Sequence, residues 1–299
     1  MNKIDVLVTG GTGKVGSQAL KSLLAAKNLK VRALVRNPAK AQWIADLGGE
    51  LAEGDMDDIA AVSRAMVDVQ TLALITPPGA RAAETAGKVI EIAKRAGVQK
   101  IVRLSAIKAS PDGPTDNTRQ HAITEQLIRE SGLRYVFLRP NYFMQNLLGS
   151  LGSIVGEGRL YAGVSDARIA LIDARDVGDA LAAAVVSDQF DGLALELSGP
   201  KSIGHGTVAE EIGKALGRTV TYVAVPPEAA GEAVRAFGLD DWTVKVIADY
   251  SRAYSKGFGD FVTDSVESLT RHAPRDIGAF AREVMAPTAN SMAPKRRSA

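Results

Sequence analysis

The glycines near the start of the chain have the spacing of a phosphate-binding turn. Gly10, Gly13 and Gly16 follow an apolar run at residues 4–9, and a helical pattern begins near Val15. Glycine backbone can approach an anion closely, and the positive end of the following helix stabilises negative charge. This order of strand, glycine turn and helix is typical of dinucleotide-binding proteins. No Gly-Lys-Ser or Gly-Lys-Thr triplet ends the turn, which excludes the phosphate loop of ATP-binding proteins.

The residue that selects between the two nicotinamide dinucleotides lies about 20 positions after such a turn. Arg36 stands 20 residues after Gly16, at the end of the predicted second strand, and Lys40 follows closely. An acid at this place would bind the ribose 2′-hydroxyl, whereas an arginine accommodates a 2′-phosphate. The sequence therefore predicts NADPH as the cofactor, with NADH as the second choice. The alternative is that Arg36 is only a solvated surface charge.

Further candidates for cofactor contacts stand where predicted strands end. Asp55 follows the third strand, where we expect it against the adenine; alternatively, Asp55 or Asp57 only caps the next helix. Thr76 ends the fourth strand, and Ser105 ends the fifth, beside the expected place of the nicotinamide. The predicted cofactor-binding residues are Gly10, Thr12, Gly13, Lys14, Val15, Arg36, Lys40, Asp55, Met56, Thr76, Pro77, Ser105 and His121.

The composition excludes several kinds of chemistry. The 299 residues include no cysteine, so disulfides, thiolate catalysis and cysteine metal sites are impossible. Three histidines, His121, His205 and His272, are too dispersed to suggest a metal cluster, and we predict no metal. A net charge of +2 favours neither nucleic acid nor a membrane surface as a partner. No signal peptide precedes the first strand, and no apolar run reaches the roughly 20 residues of a membrane span, which predicts a cytoplasmic protein.

Strand and helix patterns alternate up to about residue 139. Several strand patterns are nearly continuous apolar runs, such as Thr71 to Ile75, which is typical of parallel strands covered on both faces. Alternating elements with short connections predict an α/β fold with a doubly wound parallel sheet of the Rossmann type. The predicted strands are 4–9, 30–35, 49–53, 70–75, 100–105 and 134–139, and the predicted helices are 14–26, 38–47, 57–67, 80–96 and 117–131.

The alternation loosens after residue 139, which predicts a smaller, mixed and mainly helical C-terminal lobe. We expect a dinucleotide-binding core at 1–140, a substrate-side lobe at 141–286 with some segments returning to the core sheet, and a disordered tail at 287–299. The predicted helices of this part are 142–155, 173 or 175 to 186, 206–216, 227–237, 240–255, 263–271 and 276–285. Its predicted strands are 168–172, 193–197 and 219–224.

The aromatic residues are concentrated after residue 134. Of the 15 in the chain, Trp43 alone precedes that point. This distribution suggests a ring-lined pocket for an apolar substrate where the two halves meet, although these rings also suit an ordinary core. Tyr142 and Phe143 follow a strand end directly, and with Asn141 they are the predicted substrate-binding residues.

Several motifs of the chain occur together in a known family. They are Val8-Thr9-Gly10-Gly11-Thr12-Gly13-Lys14-Val15-Gly16, Val35-Arg36-Asn37-Pro38, Gly54-Asp55, His121-x-x-Thr124-Glu125 and Leu138-Arg139-Pro140-Asn141. With these motifs the chain resembles the NmrA-like family of atypical short-chain dehydrogenases/reductases over roughly residues 3–285, and is similar to its NADPH:quinone oxidoreductase and triphenylmethane reductase members. The resemblance implies a Rossmann domain and a smaller lobe, with the substrate in the cleft between them. It also implies a family that contains redox enzymes beside non-catalytic sensors of NAD(P) status.

One motif of the wider superfamily is absent from this sequence. Ordinary members carry Tyr-x-x-x-Lys, where the tyrosine is the general acid/base and the lysine lowers the pKa of that tyrosine and holds the ribose. Counted back from Glu125, these two positions hold Asn117 and His121. Both are candidate catalytic residues, and His121 is suited to binding the ribose or donating a proton. The alternative for His121 is an exposed helix histidine.

The missing pair favours one class of acceptor. Alcohol oxidation and carbonyl reduction need a positioned proton donor, whereas hydride addition to a quinone leaves a delocalised anion that solvent can protonate. We therefore expect an NADPH-dependent oxidoreductase that reduces quinones or similar conjugated aromatic acceptors. A non-catalytic NADP(H)-binding sensor that acts through protein partners is the alternative. The expected partners are a small aromatic or quinone-like molecule, no nucleic acid and no membrane, with the protein a monomer or a homodimer.

Overall fold

A seven-stranded parallel sheet dominates the computed structural model, which describes residues 4–26 and 28–292. The strands are β1 (Ile4–Val8), β2 (Val31–Val35), β3 (Glu50–Glu53), β4 (Val69–Leu74), β5 (Lys100–Leu104), β6 (Arg134–Pro140), β7 (Arg159–Ala162), β8 (Arg168–Ile169), β9 (Ala194–Leu197), β10 (Ile203–Gly204) and β11 (Thr221–Ala224). The large sheet has the order β3-β2-β1-β4-β5-β6-β9. Because β1 pairs with both β2 and β4, the chain winds outward from β1 in both directions. The predicted doubly wound α/β class is confirmed.

Helices follow most of these strands. They are α1 (Lys14–Ala25), α2 (Gln42–Asp46), α3 (Ile59–Ala65), α4 (Ala82–Arg95), α5 (Asp116–Ser131), α6 (Leu151–Glu157), α7 (Ala174–Val186), α8 (His205–Leu216), α9 (Pro227–Arg235), α10 (Asp241–Ser255), α11 (Ser265–Thr270), α12 (Ile277–Phe280) and α13 (Ala286–Met292). Short 3-10 segments at Pro38–Ala41 and Met144–Ser150 precede α2 and α6, and a π-helical turn at Ala281–Met285 joins α12 to α13.

The helix α4 shows why the sheet is covered as the sequence predicts. Its apolar positions recur with the period of a helix, and Ala86, Val89, Ile90 and Ala93 are buried in one core cluster with the strand residues Leu72 and Ile101. The helix is followed by Gly97, which has a φ of +80° and so suits the left-handed residue that terminates helices. Apolar patterning and a glycine stop therefore place α4 along one face of the sheet.

Contacts divide the chain into two compact units. The first unit holds the residues up to Pro140, Ala174–Leu197 and Asp264–His272, and contains the seven-stranded sheet. The second unit holds Asn141–Asp173, Ser198–Thr263 and the residues from Ala273 onward. In the second unit β7 pairs with β11 in parallel and β8 pairs with β10 in the antiparallel sense. Among the described residues, no helix combines the length and the apolar character needed to cross a membrane.

The structure differs from the predicted elements at the end of the chain. Residues 287–292, expected to be disordered, belong to α13, while residues 293–299 of the predicted tail lie outside the described residues. Pro287 is the second residue of α13 and follows directly on the π-helical turn Ala281–Met285. The predicted elements also lack the strand β7.

Candidate functional site

Backbone geometry in the turn at residues 10–16 depends on glycine. Gly10 has a φ of +62°, and a Cβ there would lie 3.0 Å from the carbonyl oxygen of Ile75. At Gly16 a Cβ would lie 2.2 Å from the carbonyl oxygen of Gly10, because α1 passes directly against the turn. The Thr9 hydroxyl donates to the Ile75 carbonyl and accepts from the Ile75 amide, each over 2.9 Å. These contacts join the turn to the segment that follows β4.

The start of α1 is open to an anion. Thr12, Gly13 and Lys14 are exposed, whereas the side chain of Val15 is buried. Gly13 caps the helix without a side-chain hydrogen bond, and the first turn contains no acidic residue. The positive end of the helix is therefore available to a ligand, whereas the Gly13 amide already donates to the Gly10 carbonyl over 3.0 Å. This arrangement fits the phosphates of a dinucleotide.

Arg36 lies in a groove of about 480 Å³ at the edge of β2 and β3. The Arg36 side chain is 83% exposed, and its Nε lies 3.9 Å from Oδ2 of Asp55. Such an exposed pair contributes little free energy, so Arg36 can exchange it for a phosphate at small cost. Lys40 is also exposed, in the 3-10 segment that follows Asn37. The groove is lined by Arg36, Glu53, Gly54, Asp55, Asp58 and Arg64.

The acidic residues after β3 do not cap α3 as expected. Asp58 is the cap, because its carboxylate accepts from two backbone amides of the first turn over 3.0 Å each. Asp55 instead accepts from the backbone amide of Asp57 over 3.0 Å, which closes a local turn. The capping alternative for Asp55 and Asp57 was therefore wrong, and the adenine contact of Asp55 stays a prediction. Met56 is partly buried against the core.

A buried arginine organises the carboxyl ends of β4 and β5. Arg103 is 1% exposed, and its Nη1 donates to the Leu74 carbonyl over 3.2 Å. Its Nη2 donates to the Thr76 hydroxyl over 2.8 Å and lies 3.3 Å from Nδ1 of His121. Pro77 follows as an exposed residue. The structure thus brings two predicted site residues, Thr76 and His121, together through an arginine that the sequence analysis did not select.

Burial and neighbouring charges determine the ionisation states of Arg103 and His121. Burial lowers the pKa of Arg103 to about 9, although the nearby Glu125 carboxylate opposes the shift, so the guanidinium is still charged at neutral pH. Burial, and secondarily the Arg103 charge, hold the pKa of His121 well below its ordinary value. His121 is therefore neutral at physiological pH and is not the exposed helix histidine of the alternative.

Asn117 and His121 lie one turn apart on α5 and share a face of that helix. Between them, Gln120 fixes the segment before α4. Its amide oxygen accepts from the backbone amide of Ala83, and its amide nitrogen donates to the Ala80 carbonyl, each over 3.0 Å. The helix that presents His121 is thereby attached to the loop that begins at Pro77.

Ser105 is buried and bonded to a carboxylate. Its hydroxyl donates to Oε1 of Glu125 over 2.6 Å. The same carboxylate accepts two hydrogen bonds from Arg139, over 2.9 and 2.6 Å. Glu125 is thus a fully buried anion that is satisfied by a bidentate arginine. Contact of Ser105 with a cofactor stays a prediction.

In the second unit, the predicted substrate residues have unequal surroundings. Asn141 is buried, donates to the Gly259 carbonyl over 3.0 Å and accepts from the Tyr142 amide over 2.8 Å, so its amide is occupied structurally. Phe143 forms an isolated bridge with Ile172. Tyr142 is half-buried, and burial raises its pKa to about 12. Of the three, Tyr142 offers the clearest ring to a ligand.

Tyr142 belongs to a ring cluster that consists of Tyr142, His205, Tyr222 and Tyr254. The Tyr142 ring meets Tyr254 edge-on at 5.4 Å between centroids, and His205 lies 5.5 Å from Tyr222. His205 is 1% exposed, and neither of its ring nitrogens has a hydrogen-bond partner among the described residues. Burial lowers the pKa of His205 to about 4, so it is a neutral ring.

The third histidine lies near two carboxylates in the first unit. Ligand atoms of Asp176, Asp179 and His272 come within 4.8 Å of one another, a proximity that the wide sequence spacing of these residues did not indicate. Asp179 already accepts from Gln18 over 2.9 Å and from Ser22 over 2.7 Å, where α1 packs against α7. These bonds give Asp179 a structural role between the two helices.

Sequence reasoning missed Arg64, Arg103, Glu125 and His205 as site residues. Arg103 carried a visible signal, because a charge interrupts the apolar pattern of the predicted strand at 100–105. His205 carried none, since the rings around it, Tyr142 and Tyr222, come from other elements of the chain.

The chain is similar to several known proteins. The model of the NmrA-like family matches residues 2–259. The NAD(P)H azoreductase of Xenophilus azovorans is 30% identical over 277 residues, which cover 93% of this chain and 96% of that protein. Quinone oxidoreductase 2 of Escherichia coli strain K12 is 32% identical over 257 residues, which cover 84% of this chain and 88% of that protein.

A solved structure has the same fold over nearly the whole length. It is the NADPH-dependent quinone oxidoreductase of Escherichia coli in complex with NADPH. The TM-score is 0.85 at 28% sequence identity, and the match covers 94% of this chain and 99% of that chain.

Proposed function

The chain belongs to the NmrA-like family and is an NAD(P)H-dependent oxidoreductase, and we propose that it reduces quinones or similar conjugated aromatic acceptors with NADPH. The observation that carries this proposal is the combination of an open glycine turn with a neutral histidine on α5, beside Arg103 of β5. The turn fits a dinucleotide, and His121 stands at the place of the lysine of Tyr-x-x-x-Lys.

The residues of the first unit fit the cofactor. Gly10 and Gly16 leave space for the turn and the helix start, and the exposed start of α1 at Thr12 and Lys14 suits a pyrophosphate. Arg36 is free to bind a 2′-phosphate, which favours NADPH over NADH. When bound, the dinucleotide supplies a hydride, and the work of the protein is to bind and orient the two reactants.

The acceptor class follows from the groups available for proton transfer. The pKa of His121 is too low for a proton reservoir at neutral pH, and Asn117 does not titrate. A conjugated acceptor needs less help, because the anion formed by hydride addition is delocalised and takes its proton from solvent. Orientation of the ring then provides most of the rate enhancement. The half-buried Tyr142 ring suits stacking on such an acceptor.

A panel of acceptors tests this function. Purified protein is mixed with NADPH and with benzoquinones, naphthoquinones and triphenylmethane dyes, and oxidation is followed in the absorbance band of the reduced nicotinamide. We expect turnover with at least one quinone and none with simple aliphatic aldehydes. Tight NADPH binding without turnover on any acceptor would contradict an enzymatic role and would favour the NADP(H) sensor instead.

A further inference from the structure

Arg103 is a buried charge that the proposed function does not use. It occupies the fourth position of β5, where the neighbouring Ile101 and Val102 are fully buried apolar residues. No carboxylate is hydrogen-bonded to it, and its Nε has no hydrogen-bond partner among the described residues. Burying a cation without a direct ion pair is unfavourable, so an apolar residue would serve the core better.

Three contacts fix the guanidinium at the end of β4 and beside α5. Nη1 donates to the Leu74 carbonyl over 3.2 Å, and Nη2 donates to the Thr76 hydroxyl over 2.8 Å. The same Nη2 lies 3.3 Å from Nδ1 of His121. Glu125 offers no competing contact, because Ser105 and Arg139 already occupy its carboxylate.

The chemistry of this last contact determines the tautomer of His121. A guanidinium has five N–H donors and no acceptor, so Nδ1 of His121 must accept and cannot carry a proton. A neutral imidazole then carries its single proton on Nε2, which is directed away from Arg103 as a hydrogen-bond donor. Because the guanidinium is held by Leu74 and Thr76 as well, the ring of His121 is oriented and not only deprotonated.

We propose that Arg103 is a positioning residue that fixes His121 as the neutral Nε2–H tautomer, so that His121 donates a hydrogen bond to the reduced acceptor and keeps its own proton. This inference rests on the proposed function for its last clause only. The buried Arg103 and the partly buried His121 here orient the Nε2–H bond, and that bond dipole stabilises a developing oxyanion.

The redox step balances with solvent as the proton source. The quinone takes a hydride, and therefore two electrons, from NADPH, which becomes NADP⁺. The resulting hydroquinone anion accepts a hydrogen bond from Nε2–H of His121, and water then donates the proton that completes the hydroquinone. The N–H bond of His121 stays intact throughout, so the histidine needs no reprotonation between turnovers.

Nitrogen NMR of the histidine rings tests the proposal on the free protein. In protein labelled with ¹⁵N-histidine, His121→Gln assigns the His121 signals, and His205 and His272 serve as internal reporters of folding. We expect His121 to show a protonated Nε2 and an unprotonated Nδ1 at pH 7. A protonated Nδ1, or a cationic ring, in the wild-type protein would overturn the proposal.

Substitutions of Arg103 separate positioning from folding. Arg103→Met removes the donor, and we expect the His121 signals to shift toward a mixture of tautomers while His205 and His272 stay unchanged. Arg103→Lys retains a cationic donor and is expected to restore the Nε2–H pattern in part. Thr76→Val is the matched control, because it removes the other bond of Nη2 and leaves the His121 contact. An unchanged tautomer in Arg103→Met contradicts the proposal, as does the same shift in Thr76→Val.

Steady-state kinetics distinguish the proposed role of Arg103 from the proposed quinone reduction. If the protein reduces quinones, Arg103→Met should lower kcat about 10-fold while the dissociation constant of NADPH stays within about twofold, since only the hydrogen bond to the oxyanion is lost. A fall in NADPH affinity with unchanged kcat would contradict the role of Arg103. Absence of turnover in the wild-type protein would reject the proposed function and leave the NMR result standing.

Discussion

The glycine turn at residues 10–16 works by the absence of side chains, whereas the ring cluster around Tyr142 is built entirely from them. In the turn, a single added Cβ at Gly16 would meet backbone at 2.2 Å. In the ring cluster, His205 is enclosed by tyrosine rings and has no hydrogen bond to lose. The glycine turn therefore tolerates no added side chain. The ring cluster depends on the shape of its side chains and tolerates the replacement of one ring by another.

The largest effect is expected when a side chain is added to the glycine turn. Gly16→Ala should raise the dissociation constant of NADPH more than about 100-fold, because overpacking against backbone costs about 3 kcal/mol or more. Fluorescence titration of NADPH measures this constant, and circular dichroism checks the fold. Gly206→Ala is the matched control, since Gly206 also lies in the first turn of a 12-residue helix but has open space around its Cα. Equal losses in both variants would refute a specific role of the turn.

The second largest effect is expected in the free energy of unfolding when the buried His205 is replaced. Unfolded histidine binds a proton below pH 6.5, whereas folded His205 does so only near pH 4, so the free energy of unfolding falls as the pH drops between these values. The full loss from this residue is about 3 kcal/mol. His205→Phe should remove that loss and leave stability at pH 8 unchanged or higher. Urea unfolding at pH 8 and pH 4.5 measures both, with the partly exposed His272→Gln as the control.

Cofactor selection should respond by a smaller amount. Arg36→Ala is expected to weaken NADPH about 10- to 100-fold and NADH less than about twofold, because a charge-assisted hydrogen bond to phosphate contributes about 1.5–3 kcal/mol. Arg64→Ala tests the second arginine of the same groove. Equal weakening of both cofactors in Arg36→Ala would show that Arg36 does not contact a 2′-phosphate.

The smallest effect is expected when the hydroxyl group of Tyr142 is removed. Burial raises the pKa of Tyr142 to about 12, so the hydroxyl stays protonated over the working pH range and its ring is the useful part. Tyr142→Phe should change the quinone KM less than about threefold, whereas Tyr142→Ala should raise it about 10-fold through lost ring contact. A collapse of kcat in Tyr142→Phe would instead assign proton donation to this hydroxyl.

The elements of the first unit could be predicted because their signals are local. Apolar runs and glycine stops located β1, α1 and α4 within two residues, since each pattern is complete within its own segment. The cap of α3 could not be assigned, because Asp55, Asp57 and Asp58 all satisfy the same rule and only the path of the chain selects Asp58.

The part of the candidate site around His121 could be predicted only in part. His121 was located by counting along α5, but its tautomer depends on Arg103, which is 18 residues away on a strand. Pairings between a strand and a helix leave no period in the sequence. Similarly, α13 was missed because a proline is typical of a helix end, whereas here Pro287 follows directly on a π-helical turn.

The exposure of Arg36 has a consequence for how this protein can change. Its side chain is 83% exposed at the end of β2, so its replacement removes no packing from the core. If Arg36 binds the 2′-phosphate as proposed, natural variation at this one position shifts the preference between NADPH and NADH without endangering the fold. Engineers can use the same freedom, adjusting which nicotinamide coenzyme is consumed while the glycine turn and the buried Arg103 stay untouched.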